Sequence, residues 1–366
     1  MKPRKLWFSF ACGALMSMML WLVLHGGGTM NSGGIATGLN NEQPASLLSK
    51  TVRSTESLAE NQSIENSSGS QADFNKGQPN IRVYLSESQT VETVSLEAYV
   101  QGVVAAEMPL DFEPAAMQAQ ALAARTYIVR KLWLNDRTGV PVGNADVTDT
   151  QTHQVYRSLS EMQQLKQEDR EGVLKVEEAV KGTKGKIIVY RDEPIEALFF
   201  STSNGFTEDS EEVFSTKLPY LRSVASPWDK EESPRAEETV EMSLEDFYTQ
   251  LGVESVSVNA SQAGTKAIRI LDLTGGHRVK RLLVGSEELT GVEVRRRLGL
   301  RSAAFDWKIK DNKIYVTTYG SGHGVGMSQW GAEGMAKEGY SARQIIEYYY
   351  SGIDLEEVSK LLSSYQ

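Results

Sequence analysis

Nineteen consecutive uncharged residues, Leu6 to Leu24 (LWFSFACGALMSMMLWLVL), constrain this chain more than any other feature. A run of that length matches what an α-helix needs to cross a bilayer core of about 30 Å, and only a buried or membrane helix reads this way. Lys2, Arg4 and Lys5 precede it and an uncharged Gly/Ser/Asn stretch follows. The positive-inside tendency therefore leaves a short tail, residues 1–5, in the cytoplasm and carries the body outside. The alternative is a cleaved signal peptide, whose apolar region is usually shorter and ends at an Ala-x-Ala-like site. Here the exit is His25 followed by three glycines, which favours an uncleaved anchor over 6–24. Either reading exports the body.

The chain holds 38 Lys and Arg against 48 Asp and Glu. Three of the bases lie before the anchor, so the exported part is more acidic still. An acidic body argues against a polyanionic partner such as DNA or RNA. The single cysteine, Cys12, lies inside the anchor, which leaves the body without an intrachain disulfide or a thiolate zinc site. Its three histidines, His153, His277 and His323, show no paired i,i+4 or H-x-x-H spacing. No metal and no cofactor is expected.

Residues 25–78 are rich in Gly, Ser, Asn, Gln and Thr and sustain no apolar period, so a flexible linker is expected there. A coil of about fifty such residues spans roughly 40 Å. The folded domain is expected over 79–362. It opens with the strand-like IRVYLS from Ile81, and then a helix runs from Pro114 to Trp133 with an apolar face of Met117, Ala121, Ala124, Ile128 and Leu132. A second helix is expected from Glu168 to Lys181, followed by strands at KIIVY and IEALFFS. Residues 228–301 are richer in charge and read as an inserted subdomain, with helical SLEDFYTQLG and GVEVRRRLG and strands at AIRILDL and HRVKRLLVG. A hairpin turning at Asp311-Asn312 and a helix closed by Gly352 complete the chain. Strands and helices without regular βαβ alternation indicate an α+β fold: one large mixed domain with an insertion, preceded by the anchor helix and linker.

Glu107 stands in GVVAAEMP, after a run of small apolar residues and before a Met-Pro turn. A carboxylate in such surroundings loses solvation, and its pKa rises toward the range in which it can donate a proton and take one back. By itself that pattern fits a surface or capping glutamate at least as well. The wider segment YVQGVVAAEMPLDFEPAAMQAQALAARTYIVRK changes the weighting, because it resembles the signature of the stage II sporulation protein D family almost throughout. The likeness continues in DVTDTQTHQVY (Asp146 to Tyr156), EALFFSTSNGFTEDSEEVF (Glu196 to Phe214), LPYLRSV and GSGHGVGMSQWGAEGMAKEGYSARQIIEYYYSGI. It covers essentially all of residues 80 to 360.

The resemblance implies a lytic transglycosylase that cuts between N-acetylmuramic acid and N-acetylglucosamine in denuded peptidoglycan strands and leaves 1,6-anhydromuramic ends. Glu107 takes the position of the family's catalytic glutamate. The resemblance also implies action in forespore engulfment from the mother-cell membrane, facing the intermembrane space, beside stage II sporulation proteins P and M. A related domain in amidase enhancers supplies the other reading, a non-catalytic enhancer or wall-binding scaffold.

Further residues are candidates for substrate contact. Arg125 and Tyr127 come late on the long helix, where Arg125 either binds a lactyl, peptide or acetamido group or packs its stem on the surface. Tyr156 stacks beneath a sugar or closes the core. Ser201, Ser203 and Asn204 follow an apolar strand and suit sugar hydroxyls and acetamido groups, although a serine-rich strand end is also an ordinary capping turn. His323 in the glycine-rich SGHGVGMSQWG orients Glu107 or the sugar, or is a buried structural histidine; Gln329 belongs to the same segment. Some relatives bind zinc through cysteines and histidines near DVTDTQTHQVY. The corresponding positions here hold Thr148, Thr152 and His153, so no zinc is expected.

Overall fold

The computed structural model describes residues 79–253 and 268–363. The expected tail, anchor and linker, residues 1–78, lie outside the described residues. Among the described residues no helix is long and apolar enough to cross a membrane.

Strand β1 (Asn80–Leu85) alternates as IRVYLS requires, burying Ile81 and Val83 completely, and pairs antiparallel with β2 (Thr90–Ser95). Ser95 then caps helix α1 (Leu96–Glu107) by accepting the Ala98 N–H at 3.3 Å. Helix α2 (Pro114–Trp133) starts with proline at its first turn, as its sequence predicts. It is not a one-faced helix, however. Ala116, Ala119, Gln120, Leu122, Ala123, Arg125 and Thr126 are buried together with Met117, Ala121, Ala124 and Ile128 of the predicted face, because other elements wrap it from several sides, while Leu132 is only partly buried.

Those elements follow in order. A short β3 (Val147–Thr148) adds parallel to β1, and then come α3 (Leu159–Glu168) and α4 (Arg170–Gly182). Strand β4 (Lys186–Tyr190) pairs with β5 (Glu193–Pro194) through a turn whose Arg191 and Asp192 both take positive φ. The IEALFFS segment contributes only β6 (Phe199–Phe200), followed by the short helices α5 (Ser210–Phe214) and α6 (Asp229–Glu232).

A second apolar core then forms from β7 (Glu237–Ser243), α7 (Leu244–Leu251), the antiparallel β8 (Ile268–Leu273), β9 (Val279–Val284) and β10 (Glu287–Thr290), α8 (Gly291–Leu298), β11 (Phe305–Lys310) and β12 (Lys313–Tyr319). It reaches beyond residue 301, because β12 pairs with both β11 and β7, and Phe305, Ile314 and Val316 pack beside Phe247 and Leu251. The β11–β12 turn is at Asp311-Asn312, with φ of 51° and 61°, as two-residue hairpins require. The chain returns to the first core with β13 (Met327–Ser328), parallel to β6. It ends in α9 (Gln329–Lys337), α10 (Ala342–Tyr349), β14 (Asp354–Glu357) on β4, and α11 (Val358–Ser363). Among the described residues, five small sheets and these helices make an α+β fold.

Candidate active site

Glu107 is the last residue of α1, and the sequence explains why the helix stops there. Met108 precedes Pro109 and takes the extended conformation (φ −116°, ψ 142°) that a residue before proline favours. The helix therefore delivers the Glu107 carboxyl at its C-terminal end, after a fully buried Gly102, Val103 and Val104. Two effects disfavour the charged form there: loss of solvent and the negative end of the helix dipole.

The residues Gln154 to Arg157 lie along the same helix. Arg157 donates its backbone N–H to the Gly102 carbonyl at 3.2 Å and its Nε to the Ala105 carbonyl at 3.1 Å. Tyr156 stacks on Tyr99 with ring centroids 5.4 Å apart and planes at 16°. Gly102 leaves room for this, since a Cβ there would come within 2.3 Å of the Tyr156 ring. The Tyr99 hydroxyl donates to Gln154 Oε1 at 3.1 Å. With the segment so fixed, Val155 points its backbone N–H at Glu107 Oε1, 3.1 Å away.

The third wall is the first turn of α9. Ser328 caps the helix and Gln329 follows it, 6% exposed and facing the Glu107 carboxyl. Burial pushes the Glu107 pKa up to about 7, and the Val155 N–H and the Gln329 amide oppose that rise. Gln329 Nε2 nevertheless reaches no acceptor at hydrogen-bond distance, and neither does Gln154 Nε2. The rise comes from desolvation and not from a second carboxylate. The acid on α9, Glu333, is committed elsewhere: it accepts the Glu113 N–H at 2.7 Å and lies 3.5 Å from Lys337. The arrangement is a single protonatable carboxyl, poised near neutrality and flanked by amide donors.

Of the residues expected to touch substrate, several are taken up by the fold. Arg125 is fully buried: it grips Glu97 with Nε and Nη2 at 3.2 and 2.6 Å and also reaches Ala121 O, Thr183 Oγ1, Lys186 O and Val180 O. Its donors lock α1, α2, α4 and β4 together, which corrects the groove role expected of it. Glu97 supplies the counter-charge and also accepts the Gly185 N–H at 3.1 Å. Tyr156 is 4% exposed and donates its hydroxyl to Glu92 at 2.7 Å, so it closes the core and offers no face to a sugar. Ser203 is also buried; its N–H goes to Asp229 and its hydroxyl to Ser226 O.

His323 sits between the rings of Phe200 and Phe214, at 5.7 and 5.5 Å, and accepts the Val325 N–H at Nδ1. Desolvation drops its pKa to about 4, with Arg295 and Arg278 adding to the effect, so it stays neutral. A packed neutral ring bonded to backbone replaces the orienting role expected for it. His153 likewise has both ring nitrogens engaged, Nδ1 with Thr148 and Nε2 with the Thr138 carbonyl at 3.1 Å.

The other candidates, Ser201, Asn204 and Tyr127, are only partly buried. Ser201 accepts the Trp330 N–H at 3.1 Å through its carbonyl, which places it beside Gln329. Asn204 donates to the Gly276 carbonyl at 3.0 Å and leaves Oδ1 without a donor. Tyr127 is half-buried on α2, with its phenol held protonated by desolvation and by Asp136 and Glu196. Sequence reasoning missed Tyr99, Gln154 and Val155. A helical reading of YVQGVVAAE would have found the first, since Tyr99, Val103 and Glu107 recur every four residues.

A family model described as stage II sporulation protein matches residues 84–190, which include Glu107, Gln154 and Val155. The stage II sporulation protein D of Bacillus amyloliquefaciens is 41% identical over 327 residues, 89% of each chain. That of Bacillus subtilis is 46% identical over 286 residues, 78% of this chain and 81% of the relative. The amidase enhancer of Bacillus subtilis is 28% identical over 70% of this chain and 40% of its own length.

Proposed function

The chain belongs to the stage II sporulation protein D family, and on that premise we propose that it is a lytic transglycosylase acting on denuded peptidoglycan strands, with Glu107 as its catalytic acid and base. The observation that supports this reading is the Glu107 carboxyl at the end of α1, bonded to the Val155 N–H at 3.1 Å, with its pKa pushed up to about 7 by loss of solvent. Protonated Glu107 gives its proton to the oxygen between N-acetylmuramic acid and N-acetylglucosamine as that bond breaks. As a carboxylate it then takes the proton from the muramic C6 hydroxyl, which closes on the anomeric carbon. Because the substrate supplies its own nucleophile, a second carboxylate of the kind that paired glycosidases use is not needed. Val155 N–H and Gln329 stabilise the carboxylate in the intermediate stage, while Ser201, Asn204 and Tyr127 contact the strand.

The proposal includes the setting. Leu6 to Leu24 anchors the protein in the mother-cell membrane with its body in the intermembrane space, where it acts in forespore engulfment beside stage II sporulation proteins P and M. The similarity to an amidase enhancer favours one other reading, a wall-binding scaffold that stimulates an amidase. Mass spectrometry of denuded strands incubated with the purified protein separates the two. New 1,6-anhydromuramic ends support the transglycosylase; intact strands, with stimulation only of an added amidase, refute it.

A further inference from the structure

Asp229 is fully buried and accepts three hydrogen bonds from three segments: the Ser203 N–H at 2.7 Å, the Ser226 hydroxyl at 2.6 Å and the Ser328 hydroxyl. Among the described residues no basic side chain forms an ion pair with it; the buried Arg278 is paired with Glu208 at 3.5 Å. Burying a carboxyl without a counter-ion is costly and pushes its pKa up, and the three donors that converge on Asp229 offset that cost.

What the carboxylate holds is the frame of the site. Ser328 is the N-cap of α9, whose first turn lies against the segment that follows Glu107, since Trp330 meets the Phe112 ring edge-on with centroids 4.7 Å apart; Gln329, between Ser328 and Trp330, is buried on the Glu107 side. The Ser203 end belongs to the segment whose Ser201 carbonyl receives the Trp330 N–H. Ser226 carries the network on to Tyr349, whose hydroxyl lies 2.7 Å away. Helix α9 presses directly on this hub because Gly331 has no side chain; a Cβ there would meet Tyr349 Oη at 2.1 Å and Asp229 Oδ2 at 2.7 Å. On another side of the helix, Glu333 is fastened to the start of α2 through the Glu113 N–H. Helix α9 is thus clamped at two points, and the clamp nearer to Gln329 is Asp229.

We propose that Asp229 is a positioning residue for the Glu107 site, fixing the Ser328 cap so that the Gln329 amide stays opposite the reacting carboxyl. The inference rests on the reading of Glu107 as the reacting group. Asp229 touches no substrate and acts only through Ser328 and the first turn of α9.

The test uses the full-length chain with glutamate labelled with ¹³C at the side-chain carboxyl, the Glu107 signal being identified by its loss in Glu107→Gln. Ser328→Ala and Asp229→Asn should each lower kcat on denuded strands by about tenfold or more with little change in KM. Each should also move the Glu107 carboxyl titration to higher pH, in the same direction as expected for Gln329→Ala. Adding Ser328→Ala to Gln329→Ala should cost nothing further. Folded Ser328→Ala and Asp229→Asn proteins with wild-type kcat and an unmoved Glu107 titration overturn the proposal. If Asp229→Asn does not fold, Ser328→Ala decides alone. Unimpaired cleavage by Glu107→Gln would defeat the catalytic reading instead, while the carboxyl titration would still report whether Asp229 governs this site.

Discussion

Val155 donates its backbone N–H to Glu107 across 48 residues of sequence, at 3.1 Å, and every side-chain substitution but proline leaves that donor in place. It is therefore the constant partner of the carboxyl, and Gln329 the adjustable one. Gln329→Ala should raise the Glu107 pKa above its value of about 7, because a group that favours the charged form is lost. A carboxyl titration that stays in place would show that Gln329 does not act on Glu107.

Glycan cleavage should depend on pH with a defined sign. The first step needs the Glu107 proton, so kcat/KM should fall as pH rises through about 7 and approach a tenfold loss for each further pH unit. A pH–rate profile on denuded strands checks this. A profile flat from pH 6 to 9 would contradict it.

The same group should make stability depend on pH. The folded protein holds the Glu107 proton more tightly than the unfolded chain does, so its contribution is fully present below about 4.5 and is lost as pH rises through about 7. Full ionisation costs about 3 kcal/mol in this account. Glu107→Gln lacks that titration and should gain on the wild type between pH 5 and pH 9, measured by urea unfolding. Parallel stability curves for the two proteins would show the carboxyl to be better solvated than its burial implies.

Glu97→Gln should damage the fold and not the chemistry. Arg125 is fully buried against Glu97, and removing the partner charge leaves an uncompensated cation, a change that typically costs about 3–5 kcal/mol. The expected result is a much lower melting temperature with little change in KM for whatever fraction stays folded. A variant as stable as the wild type would mean the pair contributes little.

Chelation should leave activity unchanged, since His153, at a position where some relatives bind zinc, has both ring nitrogens in hydrogen bonds. Activity lost to a chelator and restored by zinc would refute this.

Local pattern made much of the fold legible. The proline start of α2, the period-two strand β1 and the Asp311-Asn312 turn all carry their geometry in neighbouring residues. Helix α1 was harder to read, because its valines suit strands as well as helices and only tertiary packing decides. The site was legible at Glu107, where small apolar neighbours foretell desolvation. It was not legible at Arg125 or Tyr156, whose partners, Glu97 and Glu92, are 28 and 64 residues away. Nor could spacing reveal that Asp229 gathers donors from Ser203, Ser226 and Ser328.

The most direct measurement is the rate of anhydromuramic product release by Glu107→Gln, compared with the wild type on the same denuded strands. The amide keeps the shape of the side chain but can neither give nor take a proton. Turnover should fall by at least the 10²–10⁴-fold that general acid–base catalysis supplies, while strand binding and folding persist. A folded Glu107→Gln protein that releases anhydromuramic ends at near the wild-type rate would contradict the account at its centre.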